Sequence, residues 1–502
     1  MAIENLSNLK IKTLEQAVAI IQVLVRELNT LTTEVKQLRV ENTQLRVEGA
    51  QLREENTLLK KRIQELEEKL RTNSQNSSKP PSQDPFRRQK KKRKKKSIDP
   101  KSIINPKVGR VGKTRTPVTP DQLDKVYDCP PERKCCSCGG DVSIHPHHFR
   151  RKQQFELPEI KPIITEYRLF RGKCLSCDQI HYGSLPEGVP PGLLGPRALT
   201  FAAEMIGKYH LSRRELKLFL EKSFSIPLSL GSLSHCEELM VEVLKDAVEE
   251  AKQYIRGQDV VHMDETGHKE SGKKQWMWVA VTQWVTVFSI HVSRGSVVAK
   301  ELLGECFAGI LVSDRYSAYT WLDPYRRQFC WAHLIRDFIR IAERSGTAER
   351  VGMEILAYTK RIFSLWHRVR DGTLCQDQFQ TAMGPIREAI EKLLTKGSQE
   401  ADKKTQATCK NLLKLKAALW TFVEHEAVEP TNNIAERSLR PYVIWRKKSF
   451  GSQSKRGNHF IEVMMTVVAS CRQQKLDFSE FIFSSLQAHL KKTVKPSLLP
   501  HD

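Results

Sequence analysis

A chain of 502 residues with 82 lysines and arginines against 58 aspartates and glutamates carries a formal net charge of +24, and 39% of its residues are hydrophobic. That length suggests roughly two to four domains of ~150 residues, and the charge predicts a polyanionic partner, either nucleic acid or an anionic membrane surface. The membrane and secretory options are weak, because there is no run of about 18 apolar residues, no signal-peptide layout at the N-terminus, and only twelve sparse cysteines, which favours a reducing cytoplasm with access to DNA.

Residues 12–71 carry a heptad repeat. Leu24, Leu31, Leu38, Leu45, Leu52, Leu59 and Leu66 recur every seven residues. With these at d, Asn42 and Asn56 fall at a, and leucine at d with a buried asparagine at a specifies a parallel dimer. The flanking pairs Glu34–Arg39, Glu41–Arg46, Glu48–Arg53, Glu55–Lys60 and Arg62–Glu67 are all complementary between two copies. The alternative is an amphipathic helix packed on its own domain, but the repeat is longer than ordinary globular helices. The expectation is a homodimer, or higher oligomer, through a leucine zipper.

Residues 72–120 read as a disordered basic linker. The polar stretch ending in Pro80-Pro81 cannot continue a helix. Nine of the ten residues Arg87–Lys96 are basic, and Arg87, Arg88, Lys90, Lys91, Lys92 and Arg93 are candidate phosphate contacts. A basic zipper of transcription-factor type is a poor fit, since there the basic helix runs unbroken into the zipper from its N-terminal side.

A zinc-binding, ribbon-like β module is expected over 121–190. Cys135 and Cys138 form one Cys-x-x-Cys pair, and Cys174 and Cys177 form another after a spacer of 35 residues. Paired cysteine knuckles suit a tetrahedral structural Zn²⁺. The spacer segments 153–157 and 163–170 read as strands. Over 195–256 the pattern is helical and compatible with helix-turn-helix, opening one helix on the capping box Ser212–Glu215. It is equally compatible with plain helix packing.

From 257 to 340 the order is three strands, a helix, a strand, a turn or helix, and a strand. The strands read as Asp259–Asp264, Gln275–Thr282, Val287–Val292, Gly309–Asp314 and Gln328–His333, with a helix at Ser296–Gly304. Three meandering strands followed by β-α-β units match the ribonuclease-H-like fold. In that fold the first and fourth strands are neighbours, so Asp264 and Asp314 would meet at adjacent strand ends. Residues 341–428 read as a helical insertion. The segment 429–490 returns to the core with Glu436 on an arginine-rich helix that also carries Arg437, Arg440, Arg446, Lys447 and Lys448. The fold class expected is thus multidomain, α+β and α/β. Glu265, next to Asp264, should point off the opposite strand face.

Hard carboxylate oxygens on a strand-based platform suit Mg²⁺. A pair of such ions, with Mn²⁺ as a substitute, can stabilise both the attacking and the leaving oxygen of a phosphoryl displacement. His333, at a strand end, is a candidate phosphate contact or a packed core histidine.

These pieces together resemble the DDE transposases of the insertion sequence 66 family along nearly the whole chain. The resemblance rests on the zipper, Asn76–Asp84, the cysteine knuckles, His262–Thr266, Ser313–Tyr316, Cys330–Leu334 and Asn432–Arg437 with Arg446-Lys447. It implies that Asp264, Asp314 and Glu436 form the catalytic triad, that the substrates are terminal inverted repeats and target DNA, and that smaller proteins of the same element cooperate. The rival readings are a Mg²⁺-dependent structure-selective nuclease and a catalytically silent, zinc-containing DNA-binding repressor.

Overall fold

The computed structural model describes residues 14–71, 117–132, 134, 137–144 and 150–500. Arg87, Arg88, Lys90, Lys91, Lys92, Arg93 and Cys135 therefore lie outside the described residues. The chain divides into two compact units: the described residues of Met1–Phe86 with His333–Leu413, and those of Arg87–Ala332 with Lys414–Asp502. Among the described residues no helix is long and apolar enough to cross a membrane.

The heptad segment is one uninterrupted helix, α1 (Leu14–Arg71). Its a and d positions Ile21, Leu28, Leu31, Leu38, Leu45, Leu52 and Leu59 are all exposed. Further on, the second knuckle sits in the turn of a small antiparallel hairpin, β1 (Arg171–Lys173) and β2 (Ile180–Tyr182). The strands expected at 153–157 and 163–170 do not form. Both segments lack strand pairing, and Leu157, Ile163, Ile164 and Phe170 are exposed. Alternating apolar residues make a strand only where a neighbour supplies the ladder.

Three helices follow: α2 (Pro196–Gly207), α3 (Arg213–Phe224) and α4 (Leu230–Arg256). The capping box is present, with Ser212 and Glu215 each accepting from the other's backbone amide. Leu216 and Leu220 of α3 and Leu233, Met240 and Leu244 of α4 enter the main core. The buried Glu237 takes two bonds from Arg213, at 2.7 and 2.5 Å, tying α3 to α4.

The sheet has five strands: β3 (Val260–Glu270), β4 (Lys273–Val281), β5 (Thr286–His291), β6 (Ile310–Ser313) and β7 (Arg327–Phe329). A short helix, α5 (Ser296–Leu303), connects β5 to β6. The order is β5-β4-β3-β6-β7, so the first and fourth strands of this sheet lie side by side, as expected. β3, β4 and β5 run antiparallel, whereas β6 is parallel to both β3 and β7. The strand predicted to run to His333 stops at Phe329. Cys330 still donates its amide to Ser313, but the Trp331 amide turns to the Pro430 carbonyl at 2.9 Å, and α6 (Trp331–Ala342) begins. His333 therefore lies in the first turn of a helix, not at a strand end.

The expected insertion is helical: α7 (Thr347–Arg370), α8 (Gln376–Gly397), α9 (Lys403–Lys414) and the single turn α10 (Thr421–Glu424). α7 and α8 pack on each other, with Trp366 and Phe379 at 5.9 Å between ring centres. The chain then returns through α11 (Asn433–Ser449), α12 (Lys455–Gln474) and α13 (Phe478–Leu490).

Both sheet faces are covered. Val261, Met263, Trp278, Val287 and Leu311 join the core formed by α2, α3 and α4. Met277, Val279, Val281 and Phe288 pack against Ala435, Leu439 and Tyr442 of α11 and Ile461 and Met465 of α12. Each large apolar side chain so buried contributes roughly 1.5–3 kcal/mol. Gly451, just past α11, has φ +110° and leaves no room for a Cβ against the Lys269 carbonyl. That close approach lets Ser452 bridge to Glu270 at the far end of β3.

Candidate functional site

The two aspartates sit where a parallel strand pair parts. The β3–β6 ladder runs from Val260↔Ile310 to His262↔Val312. Asp314 is the first residue beyond β6. Asp264 lies two residues beyond the last parallel pair, although β3 itself continues to Glu270 against β4. The expectation that Asp264 ends its strand is corrected in that sense: it ends only the parallel pairing. The cross-strand pair Asp264↔Val279 puts Asp264 on the face covered by α11, and Glu265↔Trp278 puts Glu265 on the other.

Glu436 lies in the first turn of α11, on the acid-favouring end of that helix. The helix is pinned along β3. Tyr442 bonds the buried His268 at 2.6 Å. Arg446 donates to Thr266 Oγ1 at 3.0 Å and to the Gly267 carbonyl. Arg446, expected to face DNA, thus turns inward and helps dock α11. Arg437, Arg440, Lys447 and Lys448 remain exposed, and Lys448 pairs with Glu215 at 3.1 Å.

Asp264 feels both its burial and its acidic neighbours. Burial pushes the Asp264 carboxyl well above the usual carboxylate range, and the charges of Glu265, Asp314 and Glu436 push it further. The Glu265 amide, at 2.9 Å from Oδ1 of Asp264, opposes that rise. Asp314 accepts from the Tyr316 amide at 2.8 Å. Like charges gathered in a desolvated site repel unless a cation joins them. The donor set is all carboxylate oxygen, which fits a hard divalent cation.

Sequence reading missed what surrounds this cluster. Glu265 is buried and saturated, accepting from Arg294 at 2.9 and 2.6 Å and from the Tyr319 hydroxyl at 2.7 Å. Arg294 is itself stacked between Trp276, at 4.6 Å, and Tyr316, at 3.8 Å. Arg327 on β7 is 1% exposed and lies over the Phe329 ring at 4.8 Å. Burial pulls its guanidinium down to about 10, while the Asp314 charge works against that fall. An arginine inside a short strand was the one signal that could have marked it.

In the knuckle, the Cys174 thiol is lowered by the Ser176 and Cys177 amides and by the Cys177 thiol. That is the electrostatic environment a thiolate ligand needs. The Asp178 amide donates to the Cys174 carbonyl at 3.0 Å and closes the turn. Cys138 and Cys177 are exposed. α4 carries no lysine or arginine before Lys245, and Ser234 and Glu238 near its start are engaged by Arg456.

Comparison with known proteins gives two family matches. A model described as "Transposase IS66 family" matches residues 195–459, and one described as a family of unknown function matches 21–106. Two relatives come from Sinorhizobium fredii (strain NBRC 101917 / NGR234). "Uncharacterized protein y4qI" is 26% identical over 335 residues, 59% of this chain and 60% of that protein. "Uncharacterized protein y4jD" is 24% identical over 385 residues, 69% of this chain and 73% of that protein. The chain thus spans about three fifths of the length of the first of these relatives.

Proposed function

The chain belongs to the Transposase IS66 family, and from that premise we propose that it cuts and joins DNA through Asp264, Asp314 and Glu436. What supports this reading is the placement of Asp264 and Asp314 where the β3–β6 pairing ends, with Glu436 in the first turn of the α11 helix that covers that face of the sheet. The strand order, with first and fourth strands adjacent, supports a ribonuclease-H-like architecture for the core.

In this mechanism Asp264, Asp314 and Glu436 would hold two Mg²⁺, with Mn²⁺ as a substitute. Bound there, the ions would activate a water and stabilise the attacking and leaving oxygens of the phosphodiester. Asp264 and Asp314 are presented by neighbouring strands of one rigid sheet, so their separation is set before DNA arrives. Glu436 closes the site from α11. Arg294 and Tyr319 hold Glu265 on the opposite face of the sheet, away from the three acids. The exposed Arg437, Arg440, Lys447 and Lys448 would meet backbone phosphates beside the reacting bond, as would the basic arm at 87–96. The freed 3′-hydroxyl of the element's end would then attack target DNA in the same site, with no covalent protein–DNA link.

The remaining parts serve assembly. α1 would pair two copies so that two ends are held together, and Cys135, Cys138, Cys174 and Cys177 would hold a structural Zn²⁺. Terminal inverted repeats and target DNA are the substrates in this reading, smaller proteins of the same element are partners, and the work is done on DNA in the cytoplasm.

The test is strand transfer with purified protein, labelled element ends, plasmid target and Mg²⁺. Joined products that vanish in Asp264→Asn are the expected result, with a loss of at least ~10²-fold. Cleavage without joining would favour a structure-selective nuclease or a missing accessory protein, which adding the element's smaller proteins would separate. Binding with no cleavage in Mg²⁺ or Mn²⁺ would replace it with a DNA-binding repressor.

A further inference from the structure

One buried residue touches the supports of all three carboxylates, through its side chain at Asp264 and through its backbone at the other two. Asn432 is 1% exposed and stands at the N-cap of α11. An asparagine there normally spends its side-chain oxygen on the free amides of its own helix. This one makes no such bond. Its Nδ2 donates to the Met263 carbonyl at 2.7 Å, one residue before Asp264. Its Oδ1 faces His262 Nδ1 at 3.1 Å, and since that oxygen is an acceptor, the imidazole donates.

The backbone of the same residue reaches the other two acids. Its carbonyl accepts the Glu436 amide at 3.3 Å. Its amide donates to Cys330 Sγ at 3.1 Å. The Cys330 amide in turn donates to the Ser313 carbonyl at 2.8 Å, one residue before Asp314. Each carboxylate is therefore one or two short links from a single residue, and those links cross between β3, β6 and α11.

We propose that Asn432 is a positioning residue that sets the mutual spacing of Asp264, Asp314 and Glu436 for metal binding. The proposal rests on the reading of these acids as a metal site. Asn432 does not touch the reacting atoms. It trades an ordinary helix cap for a cross-link between the elements that carry the ligands. Such outer supports typically govern metal affinity by about 10–100-fold. Mg²⁺, which demands near-ideal octahedral geometry, should be the more sensitive ion.

The experiment uses the full-length chain and Mn²⁺ or Mg²⁺ alone, without DNA. Affinity is read from the ion-dependent rise in Tm and from free Mn²⁺ by electron paramagnetic resonance. Asp264→Asn defines the signal belonging to the acids. The informative variant is Asn432→Ser. Serine caps helices well, so the fold is kept, but its hydroxyl is too short to hold both the Met263 carbonyl and His262. The expected result is a metal-free Tm close to that of the parent with Mn²⁺ affinity at least ~10-fold weaker and Mg²⁺ affinity weaker still. Thr466→Val is the converse control, because it leaves the buried Phe288 amide without its 3.0 Å partner. It should lower Tm and leave Mn²⁺ affinity alone.

Parent-like Mn²⁺ affinity in Asn432→Ser, within about twofold, would overturn the positioning role while the metal site stands. Equal loss of affinity in Thr466→Val would overturn it too, by showing that any destabilisation suffices. A parent chain that binds no more Mn²⁺ than Asp264→Asn would remove the metal site itself, and the proposal with it.

Discussion

The sheet and the N-terminal helix face the same problem, apolar side chains that water disfavours, and meet it differently. In the sheet, Val261, Met263, Val279 and Phe288 are covered by helices of the same chain. In α1, Ile21, Leu28, Leu38 and Leu45 recur with equal regularity and stay exposed. The first pattern completes a core within one chain. The second is a seam that stays incomplete until a helix of matching period lies along it. In the reading proposed above, the sheet unit would carry the site and α1 the assembly.

The sharpest way to break this contrast is to charge the seam. Leu31→Lys with Leu38→Lys should convert a dimer to a monomer in sedimentation and leave the unfolding of the sheet unit unchanged. A variant that remains dimeric would show that the exposed face is not covered by a second copy.

A smaller effect should appear inside the site. Because Asp264 is held above the usual carboxylate range by burial and by its acidic neighbours, Asp264→Asn should raise the metal-free Tm. The Asn side-chain oxygen can still accept the Glu265 amide, so the backbone support survives. A fall in Tm would mean that the acids are not in conflict without metal.

The smallest effect concerns the anchor of α11. Burial lowers the His268 imidazole from its ordinary value of 6.5, against the pull of Asn458, Glu270 and Glu462 and with that of Arg446. Its Nε2 bonds Asn458 Oδ1 at 2.8 Å, which makes that nitrogen the donor and leaves Nδ1 to accept from Tyr442. The native state thus holds neutral imidazole, while the unfolded chain takes a proton below about 6.5. Stability from this group is intact above that pH and declines as pH falls towards the folded value. His268→Gln should flatten the fall in Tm between about pH 7.5 and about pH 5.5. An unchanged slope would assign the acid sensitivity elsewhere.

Much of this was legible from local pattern. Heptad spacing identified α1, apolar runs ending in aspartate located β3 and β6 at Asp264 and Asp314, and the likeness of the strand order to a ribonuclease-H-like fold made those two strands neighbours. The Ser212–Glu215 capping box announced α3. Elsewhere local pattern misled. Residues 153–157 and 163–170 alternate like strands but have no ladder, and the apolar run before His333 breaks at Cys330 because the Trp331 amide finds Pro430 instead of a strand. Arg446 reads as a DNA contact beside Lys447 and Lys448, yet it docks α11 on β3.

The sequence by itself determined the periodicities and the acids, since helix and strand repeats depend on residues a few positions apart. Only the tertiary structure decided which groups meet. Asn432 reaches Met263 across 169 residues, and His268 reaches Tyr442 across 174. No short-range preference encodes such contacts. They exist because the packed sheet brings α11 down on β3, and because polar groups taken from water there must find partners in one another.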